Sequence, residues 1–312
     1  MQIFDAQQTE QALPFVDLIN ALEKMFIEGC EAPLRHTHKI NNQHNEALGT
    51  LLIMPAWQSE RWLGIKTVSV FPHNHDYHLP GLHSVYLLYS AKTGKPESMF
   101  DGDVITSRRT VAASALAAKY LSRPDANSLL IVGSGRVASL IAQAYQAIRP
   151  LKTIYVWSKT QQNAEQLVKE LNHQGFNAHY ADDLEATAKQ VDIISCATLS
   201  TQAIIKGEWL RPGVHLDLIG SFTPDMRETD DSCFKNTSVF IDTEEALLKA
   251  GDLLSPIHNG VIKAEDIKAN LSQLCKKEHL GRTSDTEITI FKSVGNALED
   301  LAAAILAQEN KS

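Results

Sequence analysis

The chain has 312 residues, 44 % hydrophobic and 21 % charged, a composition that excludes disordered and fibrous classes. Its 37 acidic and 29 basic residues leave a formal charge of −8, with no electrostatic footprint for nucleic acid or an anionic membrane. No run of about 18 apolar residues is present to span a bilayer, and at roughly 100–200 residues per domain the length predicts two domains.

The first residues, MQIFDAQQTEQALPF, lack a basic region followed by an apolar one and do not read as a signal peptide. Residues 14–28 place Phe15, Ile19, Leu22 and Phe26 at helical spacing. Residues 49–56, 64–71 and 82–90 are short, apolar and rich in β-formers, and turn residues such as Pro80-Gly81 and Thr93-Gly94 separate them. That pattern predicts antiparallel strands. Lys66 shares strand parity with Gly64, Val68 and Val70, so it points either inward among apolar residues or to an open face. Seven histidines lie between His36 and His83. No cysteine or His-Glu pattern completes a metal site with them, and they read as loop histidines.

Residues 106–121 form a second predicted helix. At about 100° per residue, Arg109 falls within about 20° of Leu116 and Tyr120, whereas Arg108 falls with Lys119. Arg108 is therefore expected to face solvent. Arg109 is expected on the apolar side, where its guanidinium needs a carboxylate from the protein or from a ligand.

Residues 123–127 read as a domain junction. Beyond them, 128–133, 153–158, 191–197, 214–220 and 238–243 are near-continuous apolar runs, with helical patterns at 160–174 and 183–190. Buried strands alternating with helices predict a parallel α/β sheet. Residues 287–308 read mostly as one long amphipathic helix. The four cysteines are scattered, without a Cys-x-x-Cys pair, which predicts reduced thiols in a cytoplasmic protein.

The turn after the first of these strands reads Gly133-Ser134-Gly135-Arg136-Val137-Ala138 and opens an apolar helix. This is the dinucleotide fingerprint in its strand–turn–helix context. Gly133 permits the turn, Gly135 leaves the pyrophosphate room, and Ala138 lets the helix approach the strand. Ser158 lies 20 residues after Ala138, where NAD enzymes place an acid for the ribose 2′-hydroxyl. Ser158, Lys159 and Thr160 suit a 2′-phosphate instead, so NADPH is favoured with NADH still accommodated.

Several segments together resemble the ornithine cyclodeaminase/mu-crystallin family over nearly the whole chain. They are Gly49–Pro55, Gly64-Ile65-Lys66, Thr106-Ser107-Arg108-Arg109-Thr110, the Gly133–Ala138 turn, Gly281–Asp285 and Glu287–Gly295. The resemblance implies an α/β architecture in which a Rossmann-type parallel-sheet domain (123–289) is inserted into an α+β substrate-binding and dimerisation domain (1–122 plus 290–312). It also implies a homodimer. By the same resemblance Arg35, Lys66 and Arg109 hold a substrate carboxylate, with Lys66 and Arg109 the catalytic candidates, and Met54 lies at the substrate. Thr110, Lys292, Ser293, Val294 and Gly295 fall to the cofactor.

One departure bears on the activity. Ornithine cyclodeaminases carry a catalytic aspartate where this chain has Phe222, within Ile219-Gly220-Ser221-Phe222-Thr223-Pro224. Phenylalanine takes no proton from an amine and activates no water. Asp217 is near in sequence but belongs to the preceding strand. The segment is similar instead to the branch that reduces the cyclic imines Δ1-pyrroline-2-carboxylate and Δ1-piperideine-2-carboxylate, with Phe222 packing on the ring methylenes. The alternatives are alanine-type reductive amination, cyclodeamination, and a protein that binds NADPH or a small ligand without turnover. The imine reduction requires no metal in this reading.

Overall fold

Residues 47–101 alternate buried with half-exposed side chains along three of their strands, which is what one covered sheet face requires. The computed structural model describes residues 1–310. Its chain divides into unit 1, Met1–Arg109 together with the chain from Asn296 onward, and unit 2, Thr110–Gly295. Unit 1 begins with β1 (Gln2–Ile3), α1 (Ala6–Gln11) and α2 (Phe15–Glu28). It continues with β2 (His36–Asn41), β3 (Ala47–Gln58), β4 (Trp62–Val70), β5 (Leu82–Ser90), β6 (Pro96–Asp101) and the first part of α3 (Gly102–Leu121).

Unit 2 follows with β7 (Ser128–Val132), α4 (Ala138–Gln146), β8 (Thr153–Trp157), α5 (Gln161–His173), β9 (Ala178–Tyr180), α6 (Leu184–Ala188) and β10 (Ile193–Cys196). Then come β11 (His215–Leu218), β12 (Ser238–Ile241), α7 (Ala246–Lys249), α8 (Gly251–His258), β13 (Ala269–Asn270), α9 (Leu271–Cys275) and β14 (Thr289–Lys292). The last helix, α10 (Ala297–Glu309), belongs to unit 1.

The sheet of unit 1 has the order β1-β6-β5-β4-β3-β2. Strands β2 to β6 pair antiparallel, and β1 joins β6 in parallel. Helix α10 covers the face of β3, β4 and β5, with α2 packed beside it. Met54, Lys66 and Tyr86 are cross-strand neighbours on that covered face, so Lys66 points inward.

The sheet of unit 2 has the order β13-β12-β14-β11-β10-β7-β8-β9 and is parallel throughout. Its central strands are buried on both faces, which explains their continuous apolar runs. Among the described residues no helix is long and apolar enough to cross a membrane.

Several expectations need correction. Residues 287–308 are not one helix: Thr289–Lys292 form β14, inserted between β11 and β12, and α10 starts only at Ala297 behind the cap of Asn296. A run of four buried residues, Thr289 to Lys292, is too short to show a period of its own, and sheet pairing decides it. Arg108 does not face solvent. It is 6 % exposed, donates to Leu13 O and Glu10 Oε1, and lies over the Phe15 ring. His36 and His38 lie in β2 rather than in a loop.

The division between units falls inside α3, after Arg109, rather than at the expected residue 122. Within unit 2 the Arg149 guanidinium donates to the carbonyls of Ala118, Lys119 and Ser122. Arg282 donates to that of Leu121. These two cations cap the carboxyl end of α3, whose last carbonyls have no partner within the helix.

Candidate active site

Two polar clusters carry chemistry, one in each unit. In unit 1, strand β4 brings Lys66 under the first turn of α10, and α3 brings Arg109 to the same place. Lys66 Nζ lies 2.6 Å from Asp300 Oδ2 and 3.4 Å from Thr106 Oγ1. Arg109 Nε donates to Asp300 Oδ1 at 2.8 Å, and its NH1 to Glu299 Oε2 at 2.6 Å. Lys66 and Arg109 are 3 % and 6 % exposed, and both acids are fully buried. Two cations and two anions thus balance inside an apolar shell, as buried charges require.

The local electrostatics follow from this packing. Burial lowers the Lys66 pKa, with Arg109 adding to the fall while Asp300 opposes it. Burial also works against the Arg109 charge, but Asp300 and Glu299 outweigh it, so its pKa is raised. Burial pushes the Asp300 carboxyl upward, yet Lys66 and Arg109 together hold it below its ordinary range. Asp300 is the hinge of the cluster, because each of its oxygens meets a different cation. The Tyr86 hydroxyl lies in the space above Gly64, where a Cβ would stand 1.9 Å from it. It has no hydrogen-bond partner among the described residues.

In unit 2 the turn after β7 has the shape its glycines foretell. Gly133 adopts φ +125°, and a Cβ there would stand 2.6 Å from the Ala197 carbonyl. At Gly135 a Cβ would meet nothing within 4 Å, so the space above it is open. Helix α4 begins without a side-chain cap behind Val137, which leaves its first turn suited to an anion. Ser134 Oγ donates to Ser158 Oγ at 2.9 Å, tying the turn to the end of β8. Lys159 and Thr160 are exposed, and α5 also starts without a side-chain cap. An open cradle over Gly135, an uncapped helix and neutral or basic groups beyond β8 fit a nicotinamide dinucleotide.

The remaining candidates are spread through the fold. Met54 is buried beside Lys66 in β3. Arg35 is exposed just before β2. Phe222 is 45 % exposed in the loop after β11. Lys292 is completely buried and donates to the carbonyls of Leu218 and Gly220. The amides of Val294 and Gly295 donate to Asp242 Oδ2 at 2.7 and 2.6 Å. Lys292 therefore acts on the loop after β11, not at an open surface.

Asp217 lies in β11, where Tyr145 Oη and Ser195 Oγ donate to it at 2.7 and 2.6 Å. Burial raises its pKa to about 6 against these bonds. It is a buried strand residue, which agrees with its exclusion as a stand-in for the missing loop aspartate.

Sequence reasoning missed Glu299 and Asp300, although two adjacent carboxylates in an otherwise alanine- and leucine-rich helix were a readable signal. It also missed Glu228, fully buried after the loop that follows β11, for which the sequence offered no periodic clue.

The profile of the ornithine cyclodeaminase/mu-crystallin family matches residues 2–312. The protein SAR DEFICIENT 4 of Arabidopsis thaliana is 40 % identical over 89 % of this chain and 86 % of its own. A Δ1-pyrroline-2-carboxylate reductase of Paracoccus denitrificans is 38 % identical over 82 % of each chain. The structure of the Thermococcus litoralis Δ1-pyrroline-2-carboxylate reductase, solved with NADH and L-proline, superposes with a TM-score of 0.90 at 30 % identity. It covers 99 % of this chain and 97 % of the other.

Proposed function

The chain belongs to the ornithine cyclodeaminase/mu-crystallin family, and we propose that it is an oxidoreductase that reduces the C=N bond of cyclic 2-imino acids. Δ1-Pyrroline-2-carboxylate gives L-proline, and the six-membered Δ1-piperideine-2-carboxylate gives L-pipecolate. The observation that carries this reading is the exposed, uncharged Phe222 in the loop after β11, where a cyclodeaminase needs an acid. The names of the Paracoccus and Thermococcus relatives support it.

When bound, the dinucleotide supplies a hydride to the imine carbon. The residues of unit 2 hold it: the Gly133–Val137 turn takes the diphosphate, and Ser158, Lys159 and Thr160 take the adenosine ribose. The absence of an acid there favours NADPH, with NADH also used. Thr110 and the Ser293–Gly295 backbone complete that set.

In unit 1, Arg109 binds the substrate carboxylate, since its charge persists at every working pH. Glu299 yields to the incoming carboxylate, while Asp300 keeps Arg109 and Lys66 in place. Lys66 gives a second positive contact. Its ammonium proton, loosened by burial, goes to the ring nitrogen as the carbon is reduced, which balances the step. Arg35 and Met54 are the further substrate-binding candidates of unit 1, and Phe222 is that of unit 2, an apolar side chain suited to ring methylenes, where a carboxylate would be costly to desolvate.

The face of the unit 1 sheet turned away from α10 leaves apolar side chains open, among them Ile40 at 37 % and Val85 at 39 % exposure. A second copy covering that face, as a homodimer, follows from the cost of leaving it wet. The four free thiols are consistent with a reducing compartment, the cytoplasm.

The test is reduced-nucleotide oxidation with the cyclic imine, run beside ornithine and beside pyruvate with ammonia. Turnover on the imine alone is expected. Turnover on pyruvate with ammonia and silence on the imine would replace this reading with an amino-acid dehydrogenase. Silence on all three with NADPH still bound would mean a binding protein.

A further inference from the structure

In an open parallel sheet a dinucleotide lies beyond the carboxyl ends of the strands, where the strand order reverses. In unit 2 that point falls between β7 and β10. The two loops that leave it are in contact: a Cβ at Gly133 would stand 2.6 Å from Ala197 O and 3.5 Å from the Thr198 methyl. The position of Thr198 therefore sets one wall of the glycine turn.

Thr198 is itself held by one side chain. Its amide and its hydroxyl both donate to Glu228 Oε1, at 2.7 and 2.8 Å. Glu228 is fully buried and anchored at its own backbone. Its amide and that of Thr229 donate to Asp252 Oδ1 at 3.0 Å each. Its carbonyl accepts from Ile204 and Ile205 at 2.9 and 3.0 Å.

The third loop, after β11, closes on the same carboxylate. A Cβ at Gly220 would stand 2.2 Å from Thr198 O and 2.4 Å from Glu228 Oε1, so only glycine fits. Lys292 fastens that loop through the Gly220 carbonyl. Oε2 of Glu228 has no hydrogen-bond partner among the described residues. A buried acid with an unused oxygen, spent on one threonine of an otherwise exposed loop, is a costly arrangement for stability alone.

We propose that Glu228 is a positioning residue for the dinucleotide: by clamping Thr198 against the Gly133 turn it fixes the wall on which the nucleotide is held. This rests on the dinucleotide reading above. Glu228 touches neither nucleotide nor substrate and acts through Thr198.

The experiment is equilibrium binding of NADH and NADPH to the full chain, followed by nicotinamide fluorescence, with unfolding temperatures measured alongside. Glu228→Ala should raise Kd for both nucleotides about tenfold or more. Glu228→Gln keeps an acceptor oxygen for both Thr198 donors and should return Kd to within about threefold of the parent. Thr198→Val loses only the hydroxyl, should fall between them, and should add nothing on top of Glu228→Ala.

A folded Glu228→Ala protein with unchanged Kd would overturn the proposal. So would a Gln variant as weak as Ala, because a general loss of packing gives no rescue. If the Ala variant does not fold, unchanged affinity in Thr198→Val overturns the proposal as well. A parent protein that binds neither nucleotide would remove the dinucleotide reading itself, whereas a binding parent with indifferent variants removes only the role of Glu228.

Discussion

Replacing Asp300 by asparagine keeps the shape of the side chain and removes one charge from the centre of unit 1. Asp300 meets Lys66 at 2.6 Å and Arg109 at 2.8 Å. At an effective dielectric of about 20, each contact is worth roughly 6 kcal/mol before desolvation. Most of that offsets the cost of burying the ions, and breaking such a group by removing one partner leaves a net loss of about 3–5 kcal/mol. Asparagine would also turn an amide donor towards one of the two cations. The unfolding temperature should fall on the order of 10 °C.

The same change alters the chemistry. Burial and Arg109 both lower the Lys66 pKa, and Asp300 is the main group opposing them. Without it Lys66 loses its proton at a lower pH, so the alkaline limb of imine turnover moves towards acid. NADH binding in unit 2 should be unchanged. The assays are thermal unfolding, turnover across the neutral and alkaline range, and nucleotide fluorescence. An unfolding temperature within about 2 °C of the parent, with an unmoved alkaline limb, would refute the account of the cluster.

Further expectations concern unit 2. Gly135→Ala meets no protein atom within 4 Å, so stability should hold while dinucleotide affinity falls about tenfold. Gly133→Ala, at φ +125° and 2.6 Å from Ala197 O, should lose stability outright, and comparing unfolding temperature with Kd separates the two. Lys159→Asp should move the ratio of specificity constants from NADPH towards NADH, and an unchanged ratio would place the 2′-phosphate elsewhere.

Burial raises the Glu228 pKa to about 7, with Lys292 opposing and Asp252 adding to the rise; Cys196 lies within electrostatic reach as well. The folded state then holds a proton that the unfolded state has released. Glu228 accordingly stabilises folding less as pH rises through 7, by about 1 kcal/mol between pH 6 and 8. Glu228→Gln should flatten the denaturant midpoint over that window by this amount, and parallel curves for the two proteins would contradict it.

Much of the architecture was legible because burial imposes a period. Continuous apolar runs marked the two-sided strands β7, β10 and β11, and short runs of β-formers between turn residues marked β3, β4 and β5. The glycine turn was legible because its spacing is itself the geometry. Strand β14 was hidden, since four residues, of which only Ile290 and Phe291 are apolar, ahead of a helix carry no period of their own. Arg108 was misplaced by helical phase alone: α3 is buried on the side where Leu13 O and Glu10 receive it. For Arg109 the sequence left two partners open, and the structure supplies Glu299 and Asp300 from a segment 190 residues away in the chain. Pairings over such distances leave no mark in local pattern. The buried clamp at Glu228 is of the same kind, visible only once three loops converge.

The most direct test of the central claim follows the hydrogen itself. The protein is given Δ1-pyrroline-2-carboxylate and reduced nucleotide deuterated at the transferable position of its nicotinamide, and the product is read by mass spectrometry. The account predicts L-proline carrying one deuterium at C2. Unlabelled proline, or no proline while the nucleotide stays bound and unoxidised, would contradict it.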